Sequence, residues 1–284
     1  MSTVYGKLYV VATPIGNLAD FSFRGVEILR QVALIAAEDT RHVKLLLQHY
    51  GIANRVVSLH QHNEEQAVRS LIQKLQAGQS IALVSDAGTP LISDPGLPLV
   101  KQAKAESIEV VPIPGACALI TALSVAGLPI TPFSFEGFAP RTSSARQSFF
   151  GTKLHCPNTW AFYESSHRIL ATLQDMAAIL PHDREIVIAR ELTKLHETVV
   201  KASLAAMLAR VSQDDNMRKG EFVVIVAGAQ IDNQDKEITP EQQRILEILL
   251  ANCSTKTAAA MAAEITGVRK KLLYQLALEL NGES

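Results

Sequence analysis

Cysteine is scarce in this chain: among 284 residues only Cys117, Cys156 and Cys253 occur, far apart and in no repeating pattern. A disulfide framework needs a denser, even set, and a zinc site needs closely spaced pairs. Both are excluded, and reduced thiols in a cytosolic protein are the expectation. An excess of one charge is missing too. The 27 Lys and Arg against 28 Asp and Glu leave a formal net charge of −1. Nothing in that balance draws the whole molecule to nucleic acid or anionic lipid, so any polyanion partner must meet a local basic patch. Charged residues make up 19% of the chain, below the ~25% usual for soluble domains, and hydrophobic residues 48%. This describes a well-buried protein with little disorder, without internal repeat or low-complexity tract, and long enough for about two domains.

A long uninterrupted apolar run is also absent. Residues 110–135 carry no charge and have the length of a membrane span. Pro112, Pro114, Gly115, Gly127, Pro129 and Pro132 interrupt them, leaving a core helix over about 116–126. The apolar stretch near the N-terminus is too short for a signal peptide and runs into Pro14 and Gly16. No membrane role is expected.

What is present is strand–helix alternation. Strands are predicted over 7–12, 32–37, 56–59, 81–84 and 108–113, with helices over 24–31, 40–50, 64–76 and 97–106 between them. That spacing implies βαβ units and a mainly parallel sheet. Further on, strands at 160–163, 185–189, 197–201 and 221–226 with helices at 168–180 and 203–212 predict a mixed sheet. The Pro/Gly-rich stretch 112–132 separates the two, giving α/β domains over 1–114 and 115–230. A polar linker follows, then three helices within 231–284. Thr239, Pro240 and Gln242 have the pattern of a capping box. Gly267 makes a tight turn before the third helix, as in helix-turn-helix units. That helix opens with Arg269, Lys270 and Lys271, whose charge opposes the helix dipole and suits a nearby anion. A plain packing appendage remains the alternative.

The segment IALVSDAGTPLISDPG (81–96) is the most informative. A buried strand opening into a loop rich in Gly and Pro is where α/β proteins bind small ligands. Asp86 and Asp94 suggest a ligand with hydroxyls or a positive charge. The first-strand turn, Thr13-Pro14-Ile15-Gly16-Asn17, lacks a G-x-G-x-x-G pattern, and Pro14 has no N–H, so it shapes a cleft wall rather than cradling phosphate. Polar strand ends recur at Glu38-Asp39-Thr40-Arg41-His42, at His60 and His62, at Glu164–Arg168, and at Arg190–Lys194. Helix caps explain part of this: Asp39 or Thr40 before one helix, Ser165 or Ser166 before another. Between Gly137 and Tyr163 there is no acidic residue, while Arg141, Arg146 and Lys153 stand near Phe149 and Phe150. Cations beside aromatic rings fit single-stranded nucleic acid; a solvated loop and helix with two core Phe is the alternative. No set of residues has metal-ligand spacing.

Taken in order, LYVVATPIGNLADFS, AAEDTRH, ALVSDAGTPLISDPG, VVPIPGACALITALSVAGL, FEGFAPR, FYESSHR and ARELTK resemble the tetrapyrrole methylase superfamily. The likeness is greatest to its bacterial branch that methylates small-subunit ribosomal RNA on a ribose 2′-oxygen. The resemblance implies two α/β domains, S-adenosylmethionine held between them, a homodimer, and methyl transfer to a cytidine 2′-hydroxyl near the decoding centre. It implies cofactor contacts from Pro14, from Asp86, Ala87 and Gly88, from Gly115, Ala116 and Cys117, and from Phe162, Tyr163 and Ala189. Candidate bases are Glu164 and His167, with Arg168 or Arg41 on a phosphate. TPIGN replaces the glycine-rich first loop of the porphyrin-acting relatives. The alternatives are another methylase of the superfamily and a non-catalytic RNA-binding assembly protein.

Overall fold

The computed structural model describes residues 5–60, 64–229 and 238–281. In the first lobe β1 (Leu8–Val11), α1 (Phe23–Gln31), β2 (Leu34–Ala37), α2 (Thr40–His49), β3 (Val56–Ser58), α3 (Glu64–Gln76), β4 (Ile81–Val84), α4 (Leu97–Ala105) and β5 (Val110–Ile113) follow one another. The strands form an all-parallel sheet in the order β3-β2-β4-β1-β5. β2 and β4 are buried along their whole length, which is why they read as unbroken apolar runs rather than as alternation. Helices cover both faces. Val26, Leu29, Val43 and Leu46 pack against one side of the sheet and Val68, Leu71, Leu75 and Leu99 against the other. The expected alternation is borne out, with element ends moved by a residue or two.

The second lobe contains α5 (Ala118–Val125), β6 (Phe133–Phe138), α6 (Ser143–Lys153), β7 (Thr159–Ser165), α7 (Ile169–Ala177), β8 (Glu185–Arg190), β9 (Thr198–Ser203), α8 (Leu204–Gln213) and β10 (Glu221–Val226). Its sheet runs β6-β7-β10-β8-β9, with β6 parallel to β7 and the remaining pairs antiparallel. The expected mixed sheet is therefore present, with one strand more than the sequence predicts. β6 escapes prediction because Glu136 and Gly137 interrupt its apolar pattern, and its register shifts between Phe135 and Phe138.

Strand alternation sends successive β7 side chains to opposite faces. Trp160 and Phe162 enter a core with Phe150, Leu173 and Met207, and Trp160 stacks on Phe162 at 5.6 Å. Ala161 and Tyr163 face α5 with Leu119 and Ile225.

The helices after residue 239 form a compact unit of their own: α9 (Pro240–Leu250), α10 (Thr255–Thr266) and α11 (Lys270–Leu280). Thr239 and Gln242 make both bonds of the capping box. Ala258, Ala259 and Ala262 present a small-residue face that packs with Leu246, Leu273 and Ala277. Gly267 caps α10 at φ 69°, a left-handed conformation that glycine adopts without penalty. The linker expected before these helices lies, from residue 230 on, outside the described residues, as do Gln61 and His62. No helix among the described residues is long and apolar enough to cross a membrane.

Candidate active site

The carboxyl ends of β1, β2 and β4 face the loops of the second lobe across a cleft of about 470 Å³, within the ~300–1,000 Å³ usual for small-molecule sites. The first-lobe wall is held together through its backbone. Thr13 N–H donates to the Gly88 carbonyl at 2.8 Å, and Gly88 N–H donates to the Thr13 carbonyl at 3.1 Å. Thr13 Oγ1 also donates to the Ser85 carbonyl, and Thr89 Oγ1 to that of Ala116. Gly88 takes φ 85°, and a Cβ there would stand 3.2 Å from Ile15 Cγ2, so a side chain meets both torsional strain and the loop opposite. The loop after β4 contains further unusual backbone: Leu91 and Ser93 sit at φ 73° and 70°. Non-glycine residues in this region mark a loop whose path the surrounding structure dictates.

Asp86, Ala87, Gly88, Cys117, Tyr163 and Ala189 line the cleft, together with Ile15, Glu38, Thr89, Ile92, Asp94, Phe138, Leu192 and Val223. Pro14 is buried just behind Ile15. Gly115 packs on Ala12, where a Cβ would stand 2.9 Å from the Ala12 methyl. Ala116 borders the site through the carbonyl that Thr89 holds. Sequence reasoning missed Glu38 as a cleft residue, reading its strand end in part as a helix cap and singling out Arg41 instead. Asp39 does make that cap, accepting from Arg41 N–H at 2.8 Å.

The electrostatics of the cleft are acidic. Burial pushes the Asp94 carboxyl up to about 7, and the nearby Glu38 and Asp86 charges add to the shift. Burial also raises Glu38, with Asp86 reinforcing it. Asp86 accepts a hydrogen bond from Asp39 N–H at 2.9 Å and has His42 Nδ1 at 3.4 Å. Burial pushes the Tyr163 phenol up to about 12, and the Cys117 thiol and Asp94 act in the same direction. Desolvation and like-charge repulsion thus both favour arrival of a cation or of hydroxyl donors. The described residues contain no metal-ligating group of three or more His, Cys, Asp or Glu.

Several expectations need correction. Phe162 is fully buried on the face of β7 away from α5, so it does not flank a purine. Glu164 is not available as a base. Its carboxylate is buried, 2.6 Å from Arg168 Nη2 and 2.7 Å from Thr172 Oγ1, and it accepts Ser165 N–H. Arg168, which also donates to the Ala139 carbonyl, holds Glu164 rather than a phosphate. It occupies the N-cap position of α7, so neither Ser165 nor Ser166 caps that helix; both line the cleft. His167 is exposed and outside the cleft lining. Arg41 is exposed and bound by Asp39.

The basic stretch also resolves differently. Arg146 is buried, with Nη2 2.7 Å from Asp175 and Nη1 donating to the Arg141 carbonyl, so it cannot reach RNA. Lys153 pairs with Glu136 at 2.6 Å and lies over the Phe149 and Trp160 rings. Phe149 and Phe150 belong to the core around Trp160. Arg141 remains exposed, as do Arg269, Lys270 and Lys271 at the start of α11.

Solved structures share this fold. A cobalt precorrin-4 methyltransferase is 16% identical with TM-score 0.57 over 78% of this chain and 94% of its own. A diphthine synthase is 16% identical with TM-score 0.59 over 78% and 90%. A Thermus thermophilus uroporphyrin-III C-methyltransferase, solved with S-adenyl homocysteine, has TM-score 0.53 at 16% identity over 78% and 97%. At such identities the likeness is one of fold. The model of tetrapyrrole (corrin/porphyrin) methylases matches residues 7–208, and that of the RsmI C-terminal HTH domain residues 236–281. The Escherichia coli O157:H7 protein called ribosomal RNA small subunit methyltransferase I is 52% identical, covering 98% of this chain and 96% of its own length. Its namesake in Neisseria meningitidis is 43% identical over 98% and 94%. The chain belongs to the tetrapyrrole methylase family and is a methyltransferase.

Proposed function

We propose that this protein transfers a methyl group from S-adenosylmethionine to the ribose 2′-hydroxyl of a cytidine in small-subunit ribosomal RNA, near the decoding centre. The observation that carries the reading is the near-full-length likeness to methyltransferases named for that RNA, running through both the two-lobed part and the C-terminal helices. The lobes divide near residue 114. The cleft chemistry suits the cofactor. Asp86 and Glu38 supply acceptors for ribose hydroxyls and for positive charge, while Ile15, Ala189, Leu192 and Val223 supply an apolar wall for a purine. Bound there, the cofactor supplies an electrophilic methyl carbon on a sulfonium. The protein's task is to align an oxygen with that carbon, a positioning effect worth up to ~7–11 kcal/mol in favourable cases.

RNA contacts fall to Arg141 and to the Arg269-Lys270-Lys271 turn, all exposed. We include a homodimer in this reading; exposed Ile120, Val125, Ile130 and Phe133, all in the stretch leading into β6, support it. The cytoplasm, where ribosomal RNA resides, is the compartment it implies. The test is to incubate the protein with radiolabelled S-adenosylmethionine and small ribosomal subunits and to map 2′-O-methylation. Label at one cytidine 2′-oxygen is expected. Label appearing in a porphyrinoid and not in RNA overturns the assignment.

A further inference from the structure

The rim of the cleft holds groups that a bound nucleoside cofactor does not account for. Phe138, at the end of β6, lines the cleft and is 55% exposed. Its ring meets the Tyr163 ring edge-on at 5.6 Å, so its position is fixed although one face stays open. An aromatic ring fixed at a cleft rim with one face open offers a stacking surface. Ile92, 38% exposed, lines the same cleft, as does Ser93. Ser93 Oγ lies 3.8 Å from the position of a Cβ on Gly137, so the loop after β4 and the end of β6 adjoin. Next to Ser93 stands Asp94, half-buried and facing the cleft. Among the described residues it has no hydrogen-bond donor and no cationic partner. The charged and titratable groups around it are Glu38 at the end of β2, Asp86 at the end of β4, and Tyr163 on β7. An unpaired, desolvated carboxylate beside an open aromatic face combines a proton acceptor with a stacking surface.

We propose that this rim is the acceptor-nucleotide subsite: the incoming base stacks on Phe138, and the Asp94 carboxylate takes the proton of the hydroxyl that is methylated. This rests on the reading given under Proposed function. The hydroxyl O–H bond breaks and its proton passes to a carboxylate oxygen of Asp94. The oxygen electron pair makes the new O–CH3 bond, and the pair of the old S–CH3 bond stays on sulfur, leaving a neutral thioether. Asp94 fills the role for which Glu164, buried in its ion pair, is unavailable. Its raised pKa suits an acceptor working near neutrality.

The experiment compares the full-length protein with Asp94→Asn, Asp94→Glu, Phe138→Ala and Phe138→Trp. Calorimetry reads S-adenosylmethionine affinity, steady-state methylation of small ribosomal subunits reads kcat and KM, and a 2-aminopurine oligoribonucleotide reads stacking by fluorescence quenching. Cofactor affinity should stay within about 3-fold in every variant. Asp94→Asn should lower kcat about 100-fold and abolish the rise in rate through pH 7, and Asp94→Glu should recover part of both. Phe138→Ala should raise KM about 10-fold and lose the quenching, and Phe138→Trp should restore it. Unchanged kcat in Asp94→Asn, or a loss of cofactor affinity matching the loss of kcat, overturns the assignment of Asp94. Retained quenching in Phe138→Ala overturns that of Phe138. If the wild type methylates no RNA, the substrate reading fails by itself, and the quenching difference still decides the subsite.

Discussion

The carboxylate of Glu164 lies 2.6 Å from the guanidinium of Arg168, four residues on, and the glutamate side chain is fully buried. Glu164 borders the cleft, but its carboxylate is taken up by this pair and by Thr172, which close the turn from β7 into α7. Glu164→Gln removes the counter-charge of Arg168, which is itself only 24% exposed. The expected loss of stability is about 2–3 kcal/mol, or roughly 4–10 °C in Tm for a unit of this size. At 20 °C the remaining folded protein should turn over within about 3-fold of wild type. Thermal melts and turnover together decide: a normal Tm with lost turnover would return Glu164 to the chemistry.

The buried pair of Arg146 and Asp175 makes a similar prediction with a pH signature. Burial raises the Asp175 carboxyl, but hydrogen bonds from Ser143, Gln147 and Arg146 outweigh it and hold the group below its ordinary range. A depressed carboxylate contributes stability above its unfolded pKa of about 4, and that contribution disappears as pH falls through the folded value. Arg146→Met should cost about 3 kcal/mol at pH 7 and less at pH 3, as the carboxyl moves toward protonation. Denaturant titrations at the two pH values measure the difference. RNA affinity of the folded variant should not change.

The same pair shows where sequence reading reaches its limit. The core-facing runs at 34–37 and 81–84 and the loop 86–96 are legible because a buried strand and a Gly/Pro loop state their environment in their own composition. Arg146 and Lys153 are different. Counted along the chain they form a basic, acid-free stretch, yet their partners are Asp175 on the next helix and Glu136 just before the stretch. Only folding brings those acids to them. Glu164 and Phe162 mislead for a related reason. Both sit in a strand-end motif dense in functional residue types, and strand alternation, here uninterrupted from Thr159 to Ser165, sends every second side chain to the other face. Phe138 stays hidden because the strand holding it is irregular.

The exposed turn Arg269-Lys270-Lys271 at the start of α11 is expected to contact phosphates as point charges. Each phosphate contact on single-stranded RNA contributes about −0.7 to the slope of log affinity against log salt. Replacing all three by Ala should therefore reduce the slope by about 2 without altering cofactor affinity, because no cleft residue is touched. Filter binding of ribosomal RNA between 50 and 200 mM salt measures it. An unchanged slope would reduce the turn to a solvated helix end.

Asp94 offers a stability prediction that needs no substrate. Its folded pKa, raised to about 7 by burial and by Glu38 and Asp86, exceeds the unfolded value of about 4. A group raised in this way contributes stability that is fully present below pH 4 and is lost as pH rises through 7, because the folded state resists ionisation. Asp94→Asn cannot ionise, so it should match wild type near pH 4 and exceed it at pH 8. Asp94 is partly open to solvent, so the gain is about 1–2 kcal/mol, less than the full shift would give. Denaturation of both proteins at pH 4 and pH 8 tests the difference. Parallel pH dependence in the two proteins would mean that Asp94 is solvated and that burial does not raise it.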